Sequence, residues 1–247
     1  MVPFRTRLAI FLRLLAVQGA WNYETLVGNG IGFCVEPALR RLPGGVDGPA
    51  YRAALARQSQ YFNAHPYLTA VAVGALARAE LDGESPARIE RFRTALCGPL
   101  GAVGDRLVWA SFLPLCSFTA LLVFGLGASA PVVVVVFLVF YNAGHLALRA
   151  WGLQIGLRHG LQVARSLGHP LLQHAPMHIG RMASAIAGLA LPLALHRVIG
   201  PGRVLLGGVL AAVILGGLLL SRLHGRVEGW KLAIAALTGF VLYASLR

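Results

Sequence analysis

Acidic residues are the scarcest feature of this 247-residue chain: Asp and Glu together number 9, against 22 Lys and Arg. Between Glu90 and Glu228 the only acid is Asp105. Charged residues of all kinds make up 13% of the sequence and hydrophobic residues 57%, where a soluble domain carries about 25% charged residues. That shortage excludes an ordinary water-soluble domain, and a mean hydropathy of +0.68 excludes intrinsic disorder, which requires low hydrophobicity. Lysine occurs once, at Lys231. Cysteine is limited to Cys34, Cys97 and Cys116, an odd and widely spaced set without a C-x-x-C pair, so neither a disulfide framework nor a thiolate metal site follows. A Ser-His-Asp pattern, a P-loop and paired carboxylates are also missing. The run G-N-G-I-G at 28–32 lacks the preceding strand and the final spacing of a dinucleotide fingerprint. No catalytic residue, cofactor or metal is therefore expected.

What is present is long apolar runs. Residues 107–148 contain no Asp, Glu, Lys or Arg over 42 positions, and a continuous helix of that length would reach about 63 Å, roughly twice the hydrocarbon thickness of a bilayer. The run must fold back, and Gly125, Gly127 and Pro131 mark the turn between two spans. Residues 204–221 form a third span. Shorter stretches at 66–77, 182–196 and 232–246 read as re-entrant or buried segments rather than full crossings. At 96–104, Gly98, Pro99, Gly101 and Gly104 predict a broken helix, tolerated at membrane depth only inside protein or beside a wet cavity, or else a surface loop before the first span. Arg149, Arg158, Arg165 and Arg181, with no acid between them, place residues 149–181 in the cytoplasm. The net charge of +13 is thus read as membrane topology, not as a nucleic-acid surface. The fold class is an all-α polytopic membrane protein with re-entrant or broken helical hairpins. Residues 1–60 form N-terminal amphipathic or interfacial helices. Residues 61–247 form the membrane core, with a broken hairpin at 62–105, spans at about 107–148, a cytoplasmic connection at 149–181 and membrane helices at 182–247. Arg5 and Arg7 before an apolar run imitate a secretory leader, but Arg13 interrupts that run, so the segment is read as retained.

Polar residues inside such a sequence are candidates for function. Asp105 follows the Gly-rich stretch and is a functional carboxylate, an ion-pair partner of Arg106 or a helix cap. F-N-A-H-P-Y at 62–67 sets Asn63 and His65 beside Pro66, where Asn63 suits either a sugar hydroxyl or the backbone of a broken helix. Tyr141, Asn142 and His145 lie inside the second span and face a cavity or another helix. Gln18, Asn22, Thr25 and Asn29 fall at helical spacing as one polar stripe, either lining a cavity or forming the polar face of an interfacial helix. His174 and His178 have the spacing of a metal pair, but Pro176 lies between them and no Cys or acid is near.

Four ordered motifs, W-N-Y-E at 21–24, F-N-A-H-P-Y at 62–67, G-P-L-G-A-V-G-D at 98–105 followed by Trp109, and Y-N-A-G-H-L-A-L-R-A-W-G-L-Q-I-G at 141–156, resemble the IID subunit of the mannose/fructose/sorbose-type phosphotransferase system. The resemblance implies a multi-pass subunit of the bacterial inner membrane. It pairs with a IIC subunit as a hetero-oligomer to translocate a hexose in phosphoenolpyruvate-dependent uptake. Cytoplasmic IIA and IIB proteins carry the phosphoryl group, and membrane lipid surrounds the complex. By motif, Asn63, His65, Asp105, Asn142 and His145 would contact sugar or support the moving segment, with Asp105 at the tip of a Gly-rich hairpin. Gln18, Asn22, Glu24, Gly98, Gly101 and Gly104 would support them. Arg149 and Arg158 would lie towards the cytoplasmic side, where IIB docks. Two departures from the pattern stand out: Arg106 replaces a small residue or Pro and would neutralise Asp105, and the match fades beyond about residue 160. They leave an alternative reading, a non-transporting homologue acting as a regulatory or scaffold protein of a phosphorelay. A third, an unrelated membrane enzyme using Asp105 or His65, would require activity from the chain alone.

Overall fold

Proline stands in the first turn of helices at Pro49, Pro86 and Pro131, positions where its fixed φ suits the first turn and no N–H is needed. The computed structural model describes residues 2–164, 168 and 170–199, with isolated residues between 207 and 218. In order these form α1 (Phe4–Leu14), a stretch of turns, α2 (Gly28–Leu39), α3 (Pro49–Gln58), α4 (Thr69–Leu81) and α5 (Pro86–Gly104). A π-helical segment (Asp105–Phe112), α6 (Leu113–Gly125), α7 (Ala130–His159) and α8 (Pro170–Ile199) follow. The span expected at 204–221 and the segment at 232–246 lie outside the described residues.

Among the described residues three helical stretches are long and apolar enough to cross a bilayer: Pro86–Gly125, Ala130–Gln162 and Gln173–Val198. The first corrects the expectation of a broken helix at 96–104. Gly98 and Gly101 have open space around them, and Pro99 forfeits a backbone bond to Ala95 on a face where both residues are exposed, so the helix runs through. Its irregularity falls one step later, in the π-helical turn. The hydroxyl of Ser111 shares its proton there between the carbonyls of Arg106, 2.7 Å away, and of Pro176 in α8, 3.0 Å away. The last stretch corrects the reading of 182–196 as a re-entrant or buried segment too short for a full crossing, since it is part of a membrane-length helix that contains Pro176 and Pro192. Nor is 149–181 a loop throughout: α7 continues to His159 and α8 begins at Pro170. At the opposite end, Arg197 of α8 donates to the carbonyls of Phe124 and Ala128 and lies over the Phe124 ring, closing the α6–α7 turn with a cation at a helix C-terminus.

The core sits where α4 crosses the C-terminal half of α7. Nearly every residue of α4 is buried, although the helix has only 13 residues. A Cβ on Gly156 would stand 2.3 Å from the Val71 carbonyl oxygen, and one on Gly74 would stand 2.6 Å from that of Leu153. Only glycine allows the two backbones this close, as in the small-residue seams of membrane helices. By contrast, none of the most apolar window of the Ala130–Gln162 span is buried in this chain. Val134, Val135, Val139 and Phe140 are all exposed, the surface expected of a helix that faces lipid or another chain.

Around this core the first hundred residues are fastened by two buried carboxylates. Glu36 accepts from Arg13 at 2.7 Å, Arg40 at 2.5 Å and Tyr51 at 2.9 Å. Glu80 takes a forked pair from Arg57 at 3.0 and 2.8 Å and a bond from Gln58 at 2.6 Å, the strong bidentate geometry of guanidinium and carboxylate. Burial alone would raise the Glu36 carboxyl, but the hydrogen bonds from Arg40, Tyr51 and Arg13 outweigh it and hold it below the usual range. A carboxyl lowered by folding contributes stability above its unfolded value and loses it as pH falls through the folded one. Glu36→Gln should therefore melt below the parent chain at pH 7, by about 1–3 kcal/mol. The gap should close as pH falls below about 4, as thermal unfolding of the detergent-solubilised chain at several pH values will show.

Candidate functional site

The loop carrying F-N-A-H-P-Y is fixed from two sides before it reaches the site. On one side the Phe62 N–H donates to the Thr25 carbonyl and the Val27 N–H to the Phe62 carbonyl, both at 3.1 Å. The Thr25 segment is itself shaped by Asn22, whose Oδ1 accepts from the N–H groups of Glu24 and Thr25 at 2.9 and 2.8 Å, an Asx turn followed by Leu26 at φ 51°. This corrects the expected helical stripe: Gln18, Asn22 and Thr25 lie in turns, and Asn29 lies in the first turn of α2. On the other side the buried guanidinium of Arg93 donates to Gln58 Oε1 at 2.7 Å and to the Gln60 carbonyl at 2.8 Å.

So held, the loop drives His65 and Tyr67 into a cluster of rings from three elements. His65 packs edge-on to Tyr67, with centroids 5.1 Å apart, and against Trp109 of the π-helical segment at 4.9 Å. Tyr67 stacks on His145 of α7 at 4.9 Å, and its hydroxyl lies 2.7 Å from that of Tyr141. The Arg149 guanidinium lies 4.7 Å from the Tyr67 ring centre, a cation–π contact, and donates to the Leu14 carbonyl. Arg149 is 4% exposed, and no described carboxylate forms an ion pair with it. Gly104 makes room for the cluster, since a Cβ there would stand 2.1 Å from that of His65.

Proton positions follow from the partners. His65 Nδ1 accepts from the Tyr67 N–H at 3.2 Å, so its proton is on Nε2. Burial, with the charge of Arg149 second, pushes this imidazole down to about 4, and it is neutral near pH 7. Asn142 gives its Nδ2 to the Leu138 carbonyl at 2.6 Å and presents Oδ1 to His145 Nε2 at 2.9 Å, which puts the His145 proton on Nε2 and leaves Nδ1 as a bare acceptor. His65 Nε2, His145 Nδ1 and Arg149 Nε are buried with no hydrogen-bond partner among the described residues. Two are donors and one is an acceptor, all on residues touching Tyr67. Such groups suit hydroxyl-bearing molecules, which both give and accept.

Of the residues expected at the site, His65, Asn142 and His145 come together. Asn63 and Asp105 do not join them. Asn63 is exposed one turn of loop away. Asp105 sits at the start of the π-helical segment inside the long helix, not at a hairpin tip, and is exposed with no ion pair among the described residues. Arg106 donates to the Ala102 carbonyl at 3.3 Å and does not neutralise it. Gln18 and Glu24 are exposed, Asn22 supports the loop through its turn, and of the three glycines only Gly104 touches the cluster. Tyr67, Trp109 and Arg149 complete the cluster and were not among the expected site residues. Tyr141, His145 and Arg149 recur every four residues, one stripe on a helix, and that spacing was the available signal.

A family model described as the mannose/fructose/sorbose family IID component of the phosphotransferase system matches residues 4–192. The mannose-specific EIID component of Escherichia coli K12 is 30% identical over 170 residues, covering 66% of this chain and 59% of that protein. The sorbose-specific EIID component of Klebsiella pneumoniae is 33% identical over 174 residues, covering 67% and 61%. The fructose permease IID component of Bacillus subtilis 168 is 29% identical, covering 67% and 60%. The chain thus matches about three fifths of the length of these relatives. Among solved structures, a chain of the cryo-EM complex of mannose transporter ManYZ with microcin E492 matches with a TM-score of 0.60 at 21% identity, over 99% of this chain and 97% of that one. A second structure, titled only as a membrane protein, matches with a TM-score of 0.71 at 22% identity, over 98% and 97%.

Two stability measurements test this geometry. Gly98→Ala should leave the melting temperature unchanged or raise it, as Ala is the better helix former by about 1 kcal/mol, whereas Gly104→Ala should lower stability by about 1–3 kcal/mol through its collision with His65. In a double-mutant cycle, Tyr67→Phe and Tyr141→Phe should each cost about 1 kcal/mol, and the double variant no more than either alone.

Proposed function

The chain belongs to the IID component family of the mannose/fructose/sorbose phosphotransferase systems, and from that premise we propose that it is the IID subunit of a sugar permease in a bacterial inner membrane. In this reading it assembles with a IIC chain as a hetero-oligomer that moves a hexose inward, while cytoplasmic IIA and IIB proteins supply the phosphoryl group. The observation that carries it is the uncovered face of α7: an apolar window with none of its residues buried calls for lipid on part of its circumference and a partner on the rest. The similarity to a chain of the mannose transporter ManYZ supports assembly of this kind.

The residues that touch Tyr67 are assigned to the translocation machinery. His65 Nε2 and Arg149 Nε offer donors and His145 Nδ1 an acceptor, and the loop bearing His65 packs against both α7 and the π-helical segment. A displacement of that loop is therefore felt by two spans at once. Asn63, exposed on the same loop, and Asp105, exposed where the π-helical segment begins, are assigned to contact with sugar or with the partner chain.

The test begins with a tagged chain solubilised gently from its native membrane and its companions identified by mass spectrometry. A stoichiometric, strongly hydrophobic IIC-type chain is expected, while recovery of the chain alone or with soluble phosphocarriers only would overturn the permease reading in favour of a regulatory role. In cells, His65→Ala and Asp105→Asn should each lower sugar uptake at least tenfold with the membrane complex still assembled. Undiminished uptake would remove these residues from the pathway.

A further inference from the structure

α1 carries two apolar faces where a helix on a soluble surface has one. Ile10 and Leu14 are fully buried against the core, while Phe4, Leu8, Leu12 and Leu15 are 68%, 44%, 56% and 47% exposed. The exposed set recurs every three or four residues, hence forms one stripe along the helix. Arg5 and Arg7 flank it, and neither makes an ion pair among the described residues. No Asp or Glu occurs before Glu24, and Arg13 is already held by Glu36. The helix therefore presents apolar surface bordered by free positive charge, the composition of an interfacial membrane helix.

Beside this stripe lies a groove of about 330 Å³ between α1 and the C-terminal half of α7, bordered by Phe4, Arg7, Leu8 and Phe11 on one wall and by Ala150, Leu153, Gln154 and Leu157 on the other. The α7 wall continues the surface that the helix shows in its apolar half. Val139, Leu146, Ala150 and Leu157 follow one another at intervals of seven, four and seven, so they share a face. A molecule lying along the exposed part of α7 has an unbroken apolar path into the groove, and Arg7 stands at its edge.

We infer that the α1–α7 groove is a binding site for an anionic phospholipid, with one acyl chain along Leu8, Phe11, Leu153 and Leu157 and the phosphodiester on Arg7, assisted by Arg5. Two features select this occupant. Apart from Gln154 the groove is apolar along its length, and it is cationic at its edge, matching the amphiphile's own division, and its floor is continuous with a membrane-spanning helix, so the lipid arrives by lateral diffusion. The guanidinium of Arg7 is free to fork onto phosphate oxygens, and the negative surface of the cytoplasmic leaflet concentrates such lipids near basic residues. The inference depends on α7 spanning a bilayer and not on the transport reading.

The experiment uses the chain with whatever membrane partner co-purifies, reconstituted in phosphatidylcholine nanodiscs. Trace phosphatidylglycerol or phosphatidylcholine bearing a photoreactive acyl chain is added, and adducts are mapped by mass spectrometry. Adducts from the phosphatidylglycerol probe should fall on residues 4–15 and 150–157 and exceed those from the phosphatidylcholine probe at least fivefold. Arg5→Gln with Arg7→Gln should reduce that preference to near unity. Ala150→Phe, which narrows the groove without changing charge, should reduce adducts of both probes there while leaving those on 132–140 unchanged. Melting temperatures equal to the parent's confirm that the variants fold. Equal labelling by both probes, labelling unaffected by either substitution, or crosslinks from the groove to a partner protein in place of lipid would each overturn the site. Uptake measured on the same variants separates the readings, since lipid binding and transport can fail independently.

Discussion

A guanidinium buried without a counter-ion among the described residues has to be met by other means, and the way Arg149 is met organises the centre of this protein. Water is excluded from it, and an uncompensated charge in such a place is costly. The Leu14 carbonyl and the face of Tyr67 replace the missing carboxylate. Those two partners come from regions remote in sequence, the end of α1 and the loop ahead of α4, so satisfying one charge on α7 gathers three parts of the chain. The glycine seam between α4 and α7 brings the backbones close enough for this to happen. Further out, the carboxylate of Glu36 joins Arg13 and Arg40 and that of Glu80 joins Arg57, so these two buried acids fix helices to one another, while Asp82 and Glu84 pair only with arginines four residues away.

How legible this was in the sequence differs from element to element. The spans on either side of Gly125 and Gly127 were plain, because forty uncharged residues exceed any single crossing. The family was plain too, because four motifs stood in order. The helix through Gly98, Pro99 and Gly101 was not, since glycine and proline lower local helix propensity by amounts that a long helix packed by its neighbours overrides. The N-terminal polar stripe failed for the converse reason. Asn22 prefers to bond its own backbone two and three residues on, and that local competition ends the helical register before a stripe can form.

The site was half legible. His65, Asn142 and His145 were marked by being polar in an apolar context. Tyr67 and Trp109, which join them, were not, because aromatic rings in such a sequence look like ordinary lipid-facing or core residues until their neighbours are known. Asp105 drew attention as the only acid over a long stretch, but scarcity in sequence says nothing about direction, and the π-helical turn points it outwards. That turn also shifts the faces of α6 relative to α5, which simple helical periodicity across the junction does not anticipate.

One consequence concerns mechanics. The stretch Pro86–Gly125 is continuous over 40 residues, about 60 Å of rod, while the hydrocarbon layer is only about 30 Å thick. It touches the His65 loop near its midpoint, at Gly104, and its far end is roped to α8 by Arg197. Its α5 arm is fastened as well, by Arg93 to Gln58 and Gln60, so the two arms have different anchors and meet at the π-helical joint beside Gly104. A tilt of either arm reaches the other only through that joint, and the stiffness of the joint sets how faithfully a push on one arm is delivered to the other.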